Sequence, residues 1–465
     1  MLPDDVLLAV FDFCVAEDLY DPEPYDKKTT EAWLTLVHVC WRWRSIVFGS
    51  PRRLDLRLVC SGKTPARDLL DAWPALPLVV WCNDDYPIEN VDNIVAVLER
   101  SNRVRQVYLR DVSSFHLSKI WPAMRKRFPK LTHLELLLNE KEKTVAVLPN
   151  SFLRGYVPCL KALEFDRIPF PGLPRLLLSA THLVHLFLHD IPHSGYFSPE
   201  AMAIALSALT RLEFLLLQFQ SPQSCPDWAS RRPPPRTRFV LRSFQKIWFR
   251  GVSEYLDDLV ARIDAPKLYI LDMIFFNQII FDTPQVIQFI SRNLTLKPLK
   301  NAHVIFDVGV ASVNIVVSSS SWGKKLKMEI ACEELDWQVS SLEQICTWCL
   351  PPLSMLKDLR IYGDPLRKSE KQDNIENALW LELLQPFTTV ENLYLSEGSA
   401  RRIMPALQEL AGGRTEVLPA LKNLLLEGLQ TSGPVHASIR QFVATRQAIQ
   451  PIEVSNWDGS GKIND

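Results

Sequence analysis

The sequence lacks an excess of charge of either sign. It contains 52 lysines and arginines against 53 aspartates and glutamates, so its formal net charge is −1. A chain without a strong overall field is not drawn to nucleic acid or to an anionic membrane surface. We therefore expect no nucleic-acid partner and no membrane partner. Partners are expected to be recognised by local surfaces.

Long hydrophobic runs and an export signal are also missing. The most apolar window, residues 269–281, contains Asp272, Asn277 and Gln278 and is too short to cross a bilayer. The N-terminal letters MLPDD place acidic residues where a secretory signal has basic ones. The nine cysteines are odd in number and lack framework spacing, which indicates reduced thiols. These features predict a cytoplasmic or nuclear protein.

Motifs for catalysis and metal binding are scarce. No G-x-S-x-G nucleophile elbow occurs. Cys346 and Cys349 form a lone C-x-x-C, whereas a zinc site of this type needs a second pair of ligands. His185 and His189 would lie about 13 Å apart on a strand, too far to share one ion. We expect a protein that is not an enzyme and that uses no metal and no cofactor.

The sequence does contain a repeated hydrophobic pattern from about residue 100 onward. In each copy, an apolar residue is followed three and five positions later by two more. The starts lie 23 to 34 residues apart, except for one interval of 57 that suggests a disguised copy. The eleven copies begin at Val104, Leu131, Leu160, Leu183, Leu212, Phe244, Leu268, Leu299, Leu356, Val390 and Leu421. This period is typical of strand-plus-helix repeats.

Segments with helical periodicity lie between these strands. They span residues 93–103, 199–210, 253–263, 284–293, 342–350 and 400–410. Because neither a strand edge nor a helix stripe can be buried alone, stacked repeats predict an α/β solenoid with a parallel concave sheet and outer helices. Residues 308–329 alternate like an inserted hairpin, and residues 221–238 read as a proline-rich loop.

The first fifty residues have a different character. Apolar residues of the first helical segment fall on one face at Val6, Leu7, Val10, Phe11 and Cys14. A second helix is predicted from the N-cap Thr30 to Gly49, with Pro51 beyond it. Two such stripes are too small to close a core of useful size. We therefore expect another protein to complete this apolar face.

Three short stretches in this region carry a resemblance. LPDDVLLAVF, LVHVCWRWRSIV and SPRRLDLRLV resemble the F-box motif, particularly that of fungal F-box proteins with a C-terminal irregular leucine-rich-repeat array. In that family, the F-box binds the Skp adaptor of a cullin-RING ubiquitin ligase, and the array holds the protein to be ubiquitinated. By matching position, the resemblance implies an adaptor-binding face at Leu2, Pro3, Val6, Leu7, Val10, Phe11, Val39, Cys40 and Trp43.

The resemblance and the repeats together predict the organisation of the chain. Residues 1–53 would be F-box helices, residues 54–100 linking strands with a first irregular repeat, residues 101–454 a leucine-rich-repeat-like horseshoe, and residues 455–465 a tail. The implied function is the substrate-recognition subunit of a Skp–cullin–F-box ubiquitin ligase, with Skp, a cullin and an unidentified target protein as partners. The alternative is a leucine-rich-repeat interaction or inhibitor protein without any ligase role.

The concave side of the predicted sheet is the expected place for the target. Residues beside the inward-pointing apolar positions of each strand line this face. Trp248 between Lys246 and Arg250 has the aromatic and basic character of a binding hot spot. The candidate target-binding residues are Tyr108, Glu135, Glu164, Phe187, Leu216, Lys246, Trp248, Arg250, Arg360 and Tyr394.

Overall fold

The computed structural model describes most of the chain. The described residues are 2–16, 32–51, 54, 56–63, 65–73, 75–83, 88–139, 147–225, 237–276, 283–293, 300–307, 312–318, 325–332, 334–349, 353, 355–363, 376–409, 417–428, 434–447 and 451–457. The chain forms two compact units, Met1–Tyr196 and Phe197–Asp465. This division falls inside residues 101–454, for which the sequence predicted a single solenoid.

The described residues of unit 1 alternate helices with strands. The helices are α1 (Asp4–Ala16), α2 (Ala32–Val39), α3 (Trp41–Gly49), α4 (Ala66–Ala72), α5 (Val91–Glu99), α6 (Ser114–Ile120) and α7 (Leu173–Leu177). The strands are β1 (Leu58–Cys60), β2 (Leu78–Cys82), β3 (Val104–Val112), β4 (His133–Leu138), β5 (Ala162–Asp166) and β6 (His185–Ile191).

In unit 1, the strands pair in chain order from β1 to β6, and every pairing is parallel. Apolar residues stack in register on the core side, as Leu163 with Leu186 and Phe165 with Leu188 show, and all four are buried. Connecting segments cover this side. Helix α5 begins where the Asn90 side chain accepts a hydrogen bond from the Asp92 amide at 2.9 Å, and it buries Ile94. The expected parallel sheet is therefore present in this unit.

The N-terminal helices of unit 1 differ from the prediction in one respect. The single helix predicted to end at Gly49 is split at Cys40, whose extended backbone (φ −160°, ψ 168°) precedes α3. Arg44 Nε donates a hydrogen bond to the Val37 carbonyl at 3.0 Å, which satisfies an acceptor at the end of α2. The break allows α2 and α3 to pack against each other rather than form one rod.

An aromatic cluster joins these helices to the first repeat. The ring of Trp33 on α2 lies 5.6 Å from Trp73, which follows α4, and Phe48 on α3 lies 5.9 Å from the same Trp73. Trp33 Nε1 also donates to the Arg57 carbonyl at 3.1 Å, just before β1. The N-terminal helices are thus packed on the first repeat of unit 1 through the buried Trp33 and the half-buried Phe48 and Trp73.

Unit 2 continues the alternation. Its described helices are α8 (Pro199–Ala208), α9 (Ser253–Val260), α10 (Pro284–Arg292), α11 (Leu335–Gln344), α12 (Asn377–Leu384), α13 (Glu397–Glu409) and α14 (Pro434–Gln447). Its strands are β7 (Phe214–Phe219), β8 (Phe239–Val240), β9 (Lys246–Gly251), β10 (Ile263–Asp264), β11 (Ile270–Phe276), β12 (Asn301–Asp307), β13 (Ser312–Ser318), β14 (Lys325–Ala331), β15 (Asp358–Gly363), β16 (Asn392–Leu395), β17 (Asn423–Glu427) and β18 (Glu453–Trp457). Strands β8 and β10 form a separate parallel pair.

The main sheet of unit 2 has the order β7-β9-β11-β14-β13-β12-β15-β16-β17-β18. It is parallel except where β13 pairs antiparallel with both β12 and β14. The predicted hairpin over residues 308–329 therefore exists, and β12 joins it to form a three-stranded meander. The chain crosses from β11 to β12, returns through β13 to β14, and then continues beyond β12 to β15.

Neighbouring helices of unit 2 are linked by a buried carboxylate. Asp257 of α9 is 2 % exposed, and its Oδ1 accepts hydrogen bonds from the amides of Gln285 and Val286 at 2.8 and 3.0 Å. These amides belong to the first turn of α10, whose own N-cap Thr283 provides no side-chain bond. One repeat thus caps the helix of the next, which stabilises stacking of the two.

All eleven predicted strand segments overlap strands of the structure, so the prediction of a mixed α/β fold with a mostly parallel sheet is confirmed. The helix predicted over 342–350 begins earlier, as α11, and continues as a π-helical turn at Ile345–Cys349. The expected boundary at 454 lies inside β18, because that strand pairs with β17 as far as Trp457. The predicted loop over 221–238 falls largely on residues 226–236, outside the described residues.

Candidate protein-interaction surfaces

Helix α1 divides its apolar residues between two sides. Leu7 and Phe11 are buried, and the Phe11 ring packs 4.8 Å from Trp43 of α3. Leu2, Val6, Val10 and Phe13 are exposed, the last by 68 %. Their spacing of four and three residues places Val6, Val10 and Phe13 along one side of α1, and Leu2 lies two residues before the helix begins. We call these four residues the N-terminal apolar stripe.

Two further apolar residues are exposed where α2 meets α3. Val39 ends α2 and is 59 % exposed, and Trp41 begins α3 and is 81 % exposed. Between them, the extended backbone of Cys40 turns the chain. We call Val39 and Trp41 the junction pair. An isolated exposed tryptophan needs no explanation, but six large apolar side chains in one small helical segment do.

An ion pair fixes the start of α1 next to the start of α3. The Arg42 guanidinium donates hydrogen bonds to Asp4 Oδ1 and to the Leu2 carbonyl, both at 2.6 Å. Arg42 directly follows Trp41 of the junction pair. The beginning of the N-terminal apolar stripe and the junction pair therefore lie on neighbouring parts of the same three-helix segment.

The structure sorts the nine residues of the implied adaptor-binding face into two groups. Leu2, Pro3, Val6, Val10, Val39 and Cys40 are exposed, Trp43 is half-buried, and Leu7 and Phe11 are buried. The buried pair differs from the expectation because α1 packs on α2 and α3, with Phe11 against Trp43 of α3. Phe13 and Trp41 were not singled out from the sequence. The signal for Phe13 was its helical spacing from Val10 and Val6.

The sheet face of unit 1 carries a row of aromatic and acidic residues. Its members are cross-strand neighbours on β2 to β6, namely Trp81, Tyr108, Glu135, Glu164 and Phe187. Tyr108 and Glu135 are buried, since Trp81 packs on Tyr108 at 5.0 Å and Arg110 forms an ion pair with Glu135. Four of the predicted target-binding residues, Tyr108, Glu135, Glu164 and Phe187, therefore meet in one row here, but Tyr108 and Glu135 offer little surface to a partner.

Histidines border this row. Phe187 is stacked between His185 and His189 on β6, with ring centroids 5.9 and 6.4 Å away, and His189 Nε2 lies 3.3 Å from Glu164 Oε1. Burial, together with the positive charges of Lys161 and Arg57, lowers the pKa of His133 on β4 to about 4. His133 is therefore a neutral imidazole at physiological pH. The charged groups of the unit 1 face largely pair with one another.

The sheet face of unit 2 carries a longer row. Its members are cross-strand neighbours from β7 to β18, namely Leu216, Trp248, Asp272, Lys327, Val316, His303, Arg360, Tyr394, Leu425 and Ser455. The structure thus aligns Leu216, Trp248, Arg360 and Tyr394 as the sequence predicted. Leu216 is buried, whereas Trp248 is 41 % exposed.

Trp248 is the centre of an aromatic and basic patch. Its ring meets Phe214 of β7 edge-on at 4.9 Å. Lys246 Nζ lies 5.7 Å from the Phe214 ring and 5.8 Å from the Tyr269 ring, and Arg250 lies 5.4 Å above Phe276. Both predicted cations are therefore held over aromatic rings beside the tryptophan. We call Phe214, Lys246, Trp248, Arg250, Tyr269 and Phe276 the Trp248 patch.

A second cluster lies further along the same face. The Arg360 guanidinium lies 4.8 Å above the Tyr394 ring, and Trp457 packs 5.4 Å from Tyr394 and 5.5 Å from Tyr362. His303 is stacked on Tyr362 at 6.3 Å, and burial with the charge of Arg360 lowers its pKa to about 4. Because these rings bury one another, this cluster is a packed part of the face rather than an open patch.

No model of a known protein family matches the chain, and a search of curated proteins finds no match either. Within the described ranges, no helix is long and apolar enough to cross a membrane. The same ranges contain no cluster of three or more histidine, cysteine, aspartate or glutamate side chains placed to hold a metal ion. The two surfaces that remain as candidates are the N-terminal helical segment and the sheet face.

Proposed function

We propose that this protein is the substrate-recognition subunit of a Skp–cullin–F-box ubiquitin ligase, of the fungal type whose F-box precedes a leucine-rich-repeat-like array. One observation carries the proposal: the segment that resembles an F-box presents the N-terminal apolar stripe and the junction pair to solvent. An apolar surface of this kind marks a protein-interaction site.

The energetics favour a protein partner for this surface. Complete burial of a valine, leucine or phenylalanine side chain contributes about 1.5–3 kcal/mol, and these side chains are roughly half exposed. Each would then add about 1 kcal/mol on binding, before the cost of association is counted. Leu7 and Phe11 contribute differently, since they hold α1 on the other helices and so position the stripe.

The repeats supply the other half of the proposed function. The alternation of strands and helices, the stacked leucines of β5 and β6, and the helix cap from Asp257 support a leucine-rich-repeat-like solenoid of horseshoe form. Its sheet face would hold a target while the F-box helices hold Skp. The protein would act without catalytic residues of its own, in the cytoplasm or nucleus, by raising the local concentration of a target lysine near the ubiquitin-conjugating enzyme.

The decisive experiment is co-purification with the Skp adaptor of the native organism. We expect Phe13→Asp to reduce recovery of Skp strongly. Val6→Asp combined with Val10→Asp should abolish it. The matched control is Phe115→Asp on α6, because Phe115 is likewise exposed, by 61 %. Circular dichroism checks that each variant is folded. Phe11 is unsuitable for this test, because a buried charge there would unfold the segment.

Two results would contradict the proposal. Skp recovery that survives all three stripe substitutions would remove the ligase role. If Phe13→Asp and Phe115→Asp reduced recovery equally, the effect would not depend on the stripe. A folded protein that captures a target but never Skp would instead be an interaction protein without a ligase role.

A further inference from the structure

The sheet face of unit 2 has an uneven charge distribution. On β7, β9, β11 and β14, the charged residues of this face are the basic Lys246, Arg250, Lys325 and Lys327 and the acidic Asp272 and Glu329. Four positive and two negative charges give a local net charge of +2. The whole chain, in contrast, has a formal net charge of −1. This part of the face is therefore a basic region on a nearly neutral protein.

The same four strands carry the exposed apolar anchor of the face. Trp248 is 41 % exposed and packs against Phe214, while Lys246 lies over Phe214 and Tyr269 and Arg250 lies over Phe276. Lysine and arginine side chains held over rings keep their charge and lose little further freedom when a partner binds. An aromatic anchor with basic groups in fixed positions suits a partner with both an apolar and an acidic side chain.

The register of the strands sets the distance between the apolar anchor Trp248 and the lysines of β14. Trp248 on β9, Asp272 on β11 and Lys327 on β14 are successive cross-strand neighbours. Two steps between strands span about 10 Å, and an extended peptide covers that distance in about three residues. A segment lying across the strands would place an apolar side chain on Trp248 and, about three residues further on, a carboxylate near Lys325 and Lys327.

We infer that the Trp248 patch binds an extended acidic peptide segment with an apolar anchor residue. This inference rests on the proposed function for the assumption that the segment belongs to a target protein. A single-stranded nucleic acid would also stack on aromatic rings, but it requires a continuous basic track for its phosphates. Asp272 interrupts such a track directly beside Trp248, and Glu329 lies 3.1 Å from Lys327. The charge pattern therefore favours a peptide.

The test measures peptide binding by the purified full chain without Skp, so its result is independent of adaptor binding. The probe is a rhodamine-labelled peptide with one leucine and two glutamates about three residues beyond it. Two control peptides replace the leucine by glycine or the glutamates by lysines. Fluorescence anisotropy should show binding of the first peptide only, weakened several-fold as salt rises from about 0.05 to 0.3 M.

Variants locate the site. Trp248→Ala should weaken binding at least about tenfold, as expected for a hot-spot tryptophan. Arg250→Glu should weaken it similarly, while the control Arg440→Glu, at an exposed position of helix α14 outside the Trp248 patch, should leave it unchanged. Circular dichroism confirms that each variant is folded.

Several results would overturn the inference. The peptide site would lie elsewhere if Trp248→Ala and Arg250→Glu bound the acidic peptide as well as the parent chain does. Equal binding of the glycine control would remove the anchor role of Trp248. A single-stranded oligonucleotide that bound more tightly than the peptide, and lost affinity in the same variants, would identify a nucleic-acid surface instead.

Discussion

Phe11 and Phe13 lie two residues apart on one helix, and the structure gives them opposite roles. Phe11 is fully buried against Trp43, whereas Phe13 is 68 % exposed. Truncating a buried phenylalanine costs about 3–5 kcal/mol, because transfer energy is lost and a cavity remains. Truncating an exposed one changes stability by about 0.5 kcal/mol or less. Phe11→Ala should thus loosen α1 strongly, and Phe13→Ala should not.

The assay must report on the N-terminal helices alone, because a chain of 465 residues with two compact units has no single unfolding free energy. Native-state hydrogen exchange read at the amides of α1, α2 and α3 meets this need. A loss of 3–5 kcal/mol raises the exchange rate by about two to four orders of magnitude, up to the limit set by the stability of the segment itself. Phe13→Ala should leave these rates within about threefold of the parent.

The same pair separates stability from binding. Phe13→Ala is expected to reduce Skp recovery at unchanged exchange rates. Phe11→Ala is expected to reduce Skp recovery only in proportion to the fraction of molecules in which α1 has detached from α2 and α3. The burial assigned to α1 would be refuted if both substitutions accelerated exchange equally, or if Phe11→Ala left the amides of α1 as protected as before.

The remaining predictions concern polar groups of the unit 2 sheet. The folded-state pKa of His303 lies near 4, below its usual 6.5, so the unfolded chain binds more protons between these values and stability falls as pH drops through that window. His303→Gln should remove about 1–3 kcal/mol of this loss, measured by native-state hydrogen exchange as the change in the opening free energy of β12 between pH 7 and pH 4.5. An equal change in variant and parent would exclude a buried neutral imidazole. Asn392 donates to Asp358 Oδ1 at 2.6 Å and accepts from Asn423 Nδ2 at 2.7 Å, so Asn392→Ala should cost about 1–3 kcal/mol, seen as faster exchange in β15 to β17. Equal amide exchange rates in the parent and in Asn392→Ala would show that these two side-chain hydrogen bonds do not stabilise the sheet.

The strands were predictable because one physical signal determines them. Core-facing leucines such as Leu163 and Leu186 recur at the period of a strand, and their burial requires a neighbour in register. The order of the β12–β14 meander was not predictable, because alternating segments can pair in either direction until tertiary contacts decide. The C-terminal limit failed for a similar reason: Trp457 is buried by Tyr362 and Tyr394, which are far away in sequence.

The candidate surfaces depended even more on tertiary contacts. Helical spacing showed that α1 has apolar residues on adjacent stripes, but only the packing of α1 on α2 and α3 decides that Leu7 and Phe11 face inward. Likewise, Leu216 and Trp248 occupy equivalent strand positions, yet one is covered and the other exposed. Exposure is a property of the neighbours, which a local pattern does not contain.

The reversed order of β14, β13 and β12 has a consequence for synthesis of the chain. Strand β11 ends at residue 276, and its sheet partner β14 begins at residue 325, so about fifty residues must be translated before the two can pair. At typical translation speeds, this takes roughly 2 to 10 seconds. During that time, the backbone edge of β11 is open to another nascent chain. We therefore expect truncations that end between residues 276 and 325 to aggregate more than those that end after β14.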